Sequence, residues 1–492
     1  MGRELILAID AGTSRIRAAL FNAKGQCLAQ ASRPFAVTYQ PPLAEADPAS
    51  LWTAAIEATR ALEANPERIA AVAVTAALGM MLVDVEGAPL APISTWQDQR
   101  AAREAAFIES RFGGDAIYEV TGRRIDPELT APRLMWFREH RPEVFARAHK
   151  VLSVKDWLVM RLCGKAVCDP GGASYTLLFD VSRGRWNEEL IAALDLSSTL
   201  LPEVHDATEI AGSLTRKSAS ILRLVEGIPV VVGGPDGTVG GIGGGMVEPG
   251  IAVNVMGTTD VVLACIDQPC FDAARRLVLN RFPSGQAWSI GGPMAATGGA
   301  IAWLAAVLNA DLDTLTAEAS TVPAGSEGLI FSPILGGSRT PRWKMEERGG
   351  MTQLSFEHGR GHVFRAALEG VAVEVAEVFD ALEAAGTPVR DIRAVGGGAE
   401  SRLWLEIRAA LLGKPLIVPE VVEASALGAA MLAAVGIGLH TDLRAASGAM
   451  VHIRDRIEPS PESAALYARV KRRHGAFRDQ LNRRPEPEPG EL

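Results

Sequence analysis

The stretch Leu5–Phe21, LILAIDAGTSRIRAALF, decides the fold. Its apolar residues make a buried strand that ends on a carboxylate, Asp10, followed at once by Gly12, Thr13 and Ser14. A core strand gains nothing from an acid at its tip, because a buried charge is costly. A site for phosphate and a cation does gain from it. Asp-x-Gly-Thr also suits a plain hairpin turn, since Asp and Gly favour turns and Thr favours the returning strand. The remainder of the chain therefore has to supply partners for Asp10.

Working outward, RAALFN and CLAQASRPF continue an antiparallel meander through the turn NAKGQ, and ADPASLWTAAIEATRALEA reads as a helix capped by Asp47 or Ser50. IAAVAVTAA is a buried strand, MMLVDVEGAPL another, and residues 98–165 read as mainly helical. Near residue 247 the pattern restarts. IAVNVMGTTDVVLACI repeats the opening design, with Gly257, Thr258 and Thr259 in the place of Gly12, Thr13 and Ser14. Two halves of like topology are expected: 1–247, then 248–480, then a Pro/Glu-rich tail at 481–492 whose composition predicts disorder.

With 492 residues, 48% hydrophobic and 22% charged, the chain is an ordinary globular protein of more than one domain. A net charge of −9 predicts neither a nucleic-acid nor an acidic-membrane partner. Five scattered cysteines without Cys-x-x-Cys read as reduced thiols of a cytoplasmic chain. No uncharged apolar run is long enough to span a bilayer, and no signal segment is expected.

Two more loops carry chemistry. In GGPDGTVGG, Asp236 is a lone acid among glycines just past a buried strand, placed to accept the proton of an attacking hydroxyl or simply to cap a helix. In AVGGGAESRLW, Gly396, Gly397 and Gly398 leave a strand and enter a helix, so a flat ring or phosphate can approach the backbone. Neither G-x-x-x-x-G-K-[ST] nor G-x-G-x-x-G occurs. Any phosphate would be held by the hairpins, whose small residues leave backbone N–H groups free.

Over roughly residues 4–440 the chain resembles the FGGY carbohydrate kinases, in the family's motif order. IDAGTSRIRAALF is similar to the first phosphate loop and TWQDQRA to the sugar-side Trp-x-Asp-x-Arg segment. LTAPRLMWFREHRPE resembles the first family signature, with Arg133 where Lys is usual. SVKDWLVMRLCGK and CDPGGASYTLLFDVSRGRW resemble the next blocks, GGPDGTVGGIGGG the catalytic-Asp loop and NVMGTTDVV the second phosphate loop. VGGGAESRLW resembles the adenosine segment. The resemblance implies an α/β, two-domain, actin-like ATPase (ribonuclease H-like) fold of the sugar kinase type. It implies ATP and Mg²⁺, with Asp10 at the metal. Gly12, Thr13, Ser14, Arg17, Gly257, Thr258, Thr259, Gly397, Gly398 and Ala399 would hold the nucleotide. Asp236 would be the base, and Gly79, Trp96, Asp98 and Asp236 would meet the acceptor, a small sugar or polyol. Oligomeric state stays open, a homodimer included.

The match is good to the family's xylulose kinases, so a pentulose such as xylulose is the first expected acceptor. LVDVEGAPLAPISTWQDQRA resembles its gluconate kinases, so gluconate or another polyol or sugar acid is the alternative. A non-enzymatic nucleotide sensor is a third reading, weakened because Asp10 and Asp236 are both present. Where xylulose kinases carry a Gly-Gln-Met-His-type segment, this chain has Ala76, Ala77, Leu78 and Gly79, which offer no side-chain amide or imidazole to a sugar.

Overall fold

The computed structural model describes residues 3–295, 297–420 and 423–482. The tail expected from 481 lies, from 483 onward, outside the described residues. The chain divides into two compact units, one of Met1–Pro249, Cys265–Ile290 and Glu423–His452, the other of Gly250–Ala264, Gly291–Val422 and Ile453–Leu492.

In the first unit the strand Leu5–Ala11 lies antiparallel to Arg15–Phe21, which pairs on with Cys27–Pro34. On its other side it runs parallel to Ile69–Ala76, then comes the parallel strand Pro229–Val231, then the antiparallel strand Ile210–Ser213. Leu5–Ala11 and Ile69–Ala76 are buried along their whole lengths, which explains why they are apolar apart from Asp10 and Thr75. A second, five-stranded sheet, in the order Val37–Gln40, Leu43–Ala46, Ile93–Thr95, Gly79–Val83, Lys150–Ser153, is antiparallel throughout. Its last strand interrupts the stretch read as mainly helical. Of the two caps proposed for helix Pro48–Arg60, Asp47 accepts from the Ala49 and Ser50 amides, while the Ser50 hydroxyl turns to the Ala36 amide.

The second unit repeats the pairing. Ile251–Met256 is antiparallel to Asp260–Ile266 and parallel to Asp391–Val395; Leu416–Pro419 follows in parallel and Ile453–Ile457 antiparallel. Antiparallel, parallel, parallel, antiparallel is the order in both units, the like topology that the two hairpin sequences lead one to expect.

A single cut after residue 247 does not describe the packing, and the glycines show why. The glycine-dense run after Asp236 is the helix Asp236–Gly243, not a loop. A Cβ on Gly243 would lie 1.9 Å from the Ala424 carbonyl oxygen, and one on Gly428 would lie 1.9 Å from that of Val239. Helix Ala424–Gly436 therefore meets the glycine helix backbone to backbone, a contact only glycine permits. This draws a late segment into the first unit. No single helix among the described residues is long and apolar enough to cross a membrane.

Candidate active site

Asp10 ends its strand in register with Thr75 of the neighbouring parallel strand. Across Thr75, on the other side, sits Gly234, and Pro235 pairs with Ala76 just before Asp236 begins its helix. Two strand spacings put these backbones about 10 Å apart at one end of the sheet. The Thr75 hydroxyl donates to the Gly234 carbonyl at 2.9 Å and stitches the arrangement together. Asp236 is half-buried at the first position of its helix and does not cap it.

The electrostatics differ from those of ordinary surface acids. Burial, with the charge of Asp236 added and Arg17 opposing, pushes the Asp10 carboxyl up to about 7. Burial pushes Asp236 up to about 6 against a backbone hydrogen bond from Gly237. Arg17 Nη1 stands 3.7 Å from Asp10 Oδ2, and its Nε stands 3.4 Å from Glu423. Among the described residues Asp10 Oδ1 is buried with no hydrogen-bond partner. A bare, buried carboxylate oxygen beside a second acid fits a hard divalent cation such as Mg²⁺.

The loop after Asp10 is three residues long, Gly12–Ser14, closed by the Gly12 amide on the Arg15 carbonyl at 2.9 Å. Thr13 and Ser14 are exposed. The Thr13 hydroxyl accepts from Trp96 Nε1 at 3.3 Å, and Trp96 lines a cavity of the first unit. Ala76, Ala77, Leu78 and Gly79 form part of the same wall, next to Pro235. That side is apolar, as the sequence leads one to expect. A Cβ on Gly79 would come within 3.1 Å of both Ile93 and Val154, so the strand is glycine there for close packing.

Asp98 does not line this cavity. Its oxygens accept from the Ala44 amide, the Arg100 amide and the Arg100 guanidinium, and it is fully buried. Against the penalty of burial these partners hold its carboxyl below the usual range. The expected sugar contact is thus replaced by a brace that fixes the loop behind Trp96. The polar wall comes from residues not singled out as ligands. Arg133 donates to the carbonyls of Ser94, Thr95 and Asp98, while its Nε, deeply buried, has no hydrogen-bond partner among the described residues. Burial pulls this guanidinium down to about 10. Lys155, also buried, lies 2.6 Å from Asp156 and 3.0 Å from Asp169. Those two acids hold its pKa up against the burial that would lower it. The motif blocks marked these segments, but no local spacing marks the pairing of Lys155 with Asp169.

In the second unit the hairpin loop Gly257–Thr259 again has three residues. The Gly299 amide donates to the Thr258 carbonyl at 2.8 Å, and a Cβ on Gly298 would lie 2.2 Å from the Gly257 carbonyl oxygen. Gly396, at φ +92°, crosses the adjacent strand end, where a Cβ would lie 2.8 Å from the Met256 carbonyl oxygen. The structure therefore brings the hairpin loop and the Gly396–Ala399 turn to one edge. Gly397 is exposed and open, Gly398 packs against Met256 and Trp404, and Ala399 is buried with its carbonyl bonded to Arg454.

Two phosphate-type hairpins on a repeated sheet, an acid pair and a polar cavity define a two-domain sugar kinase fold. The chain belongs to the FGGY family of carbohydrate kinases. The family's N-terminal domain matches residues 5–243 and its C-terminal domain residues 252–437. It is 30% identical to a xylulose kinase of Escherichia coli over 87% of this chain and 89% of that one. It is 30% identical to a gluconokinase of Bacillus subtilis over 94% and 93%. The structure of a xylulose kinase from Rhodospirillum rubrum superposes with a TM-score of 0.89 at 29% identity, covering 97% and 99%. The protein is accordingly a phosphotransferase with an alcohol group as acceptor.

Proposed function

We propose that the protein transfers the terminal phosphoryl group of ATP to a hydroxyl of a small sugar or polyol, with a pentulose such as xylulose as the first class and gluconate as the second. The observation that carries this reading is the acid pair, Asp10 and Asp236, at one strand end beside the cavity that holds Trp96. Asp236, with a carboxyl near 6, takes the proton from the acceptor hydroxyl as it attacks, because a base is most useful when its pKa lies near the working pH. Asp10 holds Mg²⁺, which supplies charge neutralisation at the phosphates. The Gly12 amide being spent on closing the loop, Thr13 positions phosphate oxygens in the first unit, and so do Gly257, Thr258 and Thr259 in the second. Positioning and charge stabilisation account for most of the rate in such transfers. Gly397, exposed and open, leaves room for the adenosine.

The sugar-acid reading is favoured by Arg133, a cavity-lining guanidinium bonded to backbone carbonyls, whose positive charge suits an anionic acceptor. The apolar side at Ala76–Gly79 counts against D-xylulose itself, since sites discriminate strongly when buried polar groups meet each hydroxyl. An ADP-release screen of pentuloses, tetritols, hexuloses and gluconate ranks the acceptors by kcat/KM. D-xylulose is expected not to rank first. A wide lead for D-xylulose would show that other groups replace the missing amide and imidazole. No turnover with any member would remove the acceptor assignment.

A further inference from the structure

A second carboxylate of the first unit lacks partners, and it lies outside the cavity and the acid pair. Glu104, in the first turn of helix Ala102–Phe112, is 4% exposed, and neither of its oxygens has a hydrogen-bond partner among the described residues. Buried polar groups are nearly always satisfied, so an orphaned carboxylate points to a further partner, a water or an ion. Facing it are Glu139 and His140, in the last turn of helix Thr130–His140. One ligand atom from each of the three residues lies within 4.8 Å of the others. His140 Nδ1 stands 4.0 Å from Glu104 Oε1 and 3.1 Å from the Trp136 carbonyl, and the ring stacks on Trp136 at 4.9 Å. Nδ1 is the nitrogen that faces Glu104, so taking a metal there has the ring release the Trp136 carbonyl and carry its proton on Nε2. Among the described residues Glu139 pairs with Arg103, at 3.4 Å on the surface. The carbonyl end of a helix also attracts a cation.

We propose that Glu104, Glu139 and His140 bind a divalent transition-metal ion, Zn²⁺ by their mixed oxygen and nitrogen donors, and so tie the two helices together. Tetrahedral zinc ligands at about 2.1 Å from the ion lie roughly 3.4 Å from each other. The donors must therefore close in by about 1 Å, which the half-exposed side chains of Glu139 and His140 allow. Water completes the shell. Helix Thr130–His140 also carries Arg133 of the cavity wall, so the ion would fix the far end of a helix that shapes the acceptor site.

The test uses the full chain, stripped with chelator, without nucleotide, titrated with ZnCl₂ and followed by calorimetry and thermal melting. One equivalent is expected to bind and to raise Tm by about 2 °C or more. Glu104→Gln and His140→Ala should each abolish that equivalent and the Tm rise. Asp10→Asn, which removes the other candidate cation site, should keep both. His140 is half-exposed, so its variant tests the site even where Glu104→Gln fails to fold. Absence of binding in the wild type, or binding undiminished in both variants, overturns the site.

Discussion

The two glycine–threonine hairpins share a loop length and a place in the repeated sheet, yet their acids have opposite fates. In the first, Asp10 precedes the loop, its Oδ1 is bare, and its carboxyl is pushed up to about 7. In the second, Val255 occupies the equivalent position, and the acid, Asp260, follows the loop. Asp260 is buried too, but it accepts from Thr297 at 2.7 Å, from Asn254 at 3.0 Å and from Arg408. One carboxylate is held in an unstable state that a ligand can relieve, while the other is spent on internal bonds. The repeat thus duplicates the hairpin backbone without duplicating the bare acid.

The comparison can be broken most sharply with matched isosteric changes. Asp236→Asn should lower kcat by roughly 10³-fold while leaving nucleotide binding nearly unchanged, and steady-state kinetics with a binding titration check this. Near-normal turnover would end its assignment as base. Asp260→Asn should do the reverse. It leaves Arg408 buried without its counter-charge, at a cost of about 3–5 kcal/mol in denaturant unfolding, and the protein that remains folded should keep its kcat. Asp10→Asn should raise stability at pH 8. Its folded pKa lies above the ordinary value, so the wild type is stabilised fully below about 4 and loses that contribution as pH rises to about 7, by up to ~4 kcal/mol. A wild type and an Asn variant with parallel stability–pH curves would show that Asp10 is not strained.

Turnover should respond to the same carboxyls. With Asp10 as the proposed metal ligand and Asp236 as the proposed base, both acids must be ionised, so at limiting Mg²⁺ the rate should climb between pH 6 and 7. Saturating Mg²⁺ should leave only the limb near 6, since the cation holds Asp10 ionised. A limb that ignores Mg²⁺ would separate Asp10 from the metal. The smallest effect sharpens the resemblance of the loops. Thr13→Val and Thr258→Val should each weaken nucleotide KM about tenfold, the value of one hydrogen bond to a charged group, with unchanged melting. If only Thr13→Val does so, the second hairpin is scaffold.

The hairpins were legible in sequence because a strand, a three-residue loop and a returning strand are local, and because an acid at a strand tip has no packing reason to be there. Asp236 was legible for the same reason. The cavity was not, because it is lined from distant segments. Lys155, in the first turn of helix Val154–Cys163, pairs with Asp169 beyond that helix, and Arg133 reaches three carbonyls from a helix whose sequence shows only its apolar face. Asp98 misled through the opposite effect. Motif context alone offers it as a ligand, but the Arg100 guanidinium and the Ala44 amide take up its oxygens. The glycine run after Asp236 reads either as a loop or as a helix that Asp236 caps, and only the facing helix explains its glycines as close packing.

That facing helix has a consequence for anyone who would divide the gene. A fragment ending at residue 249 would lack helix Ala424–Gly436 and would expose the bare backbone face of the glycine helix. It would also lack Leu277 and Arg281, whose backbone groups bond to Tyr118 and Ser174 at 2.7 and 3.0 Å. The amino-terminal half is therefore not a unit of expression. Truncation libraries, split reporters and fusion junctions placed at the midpoint should give insoluble product, and productive junctions should fall at exposed turns inside one unit.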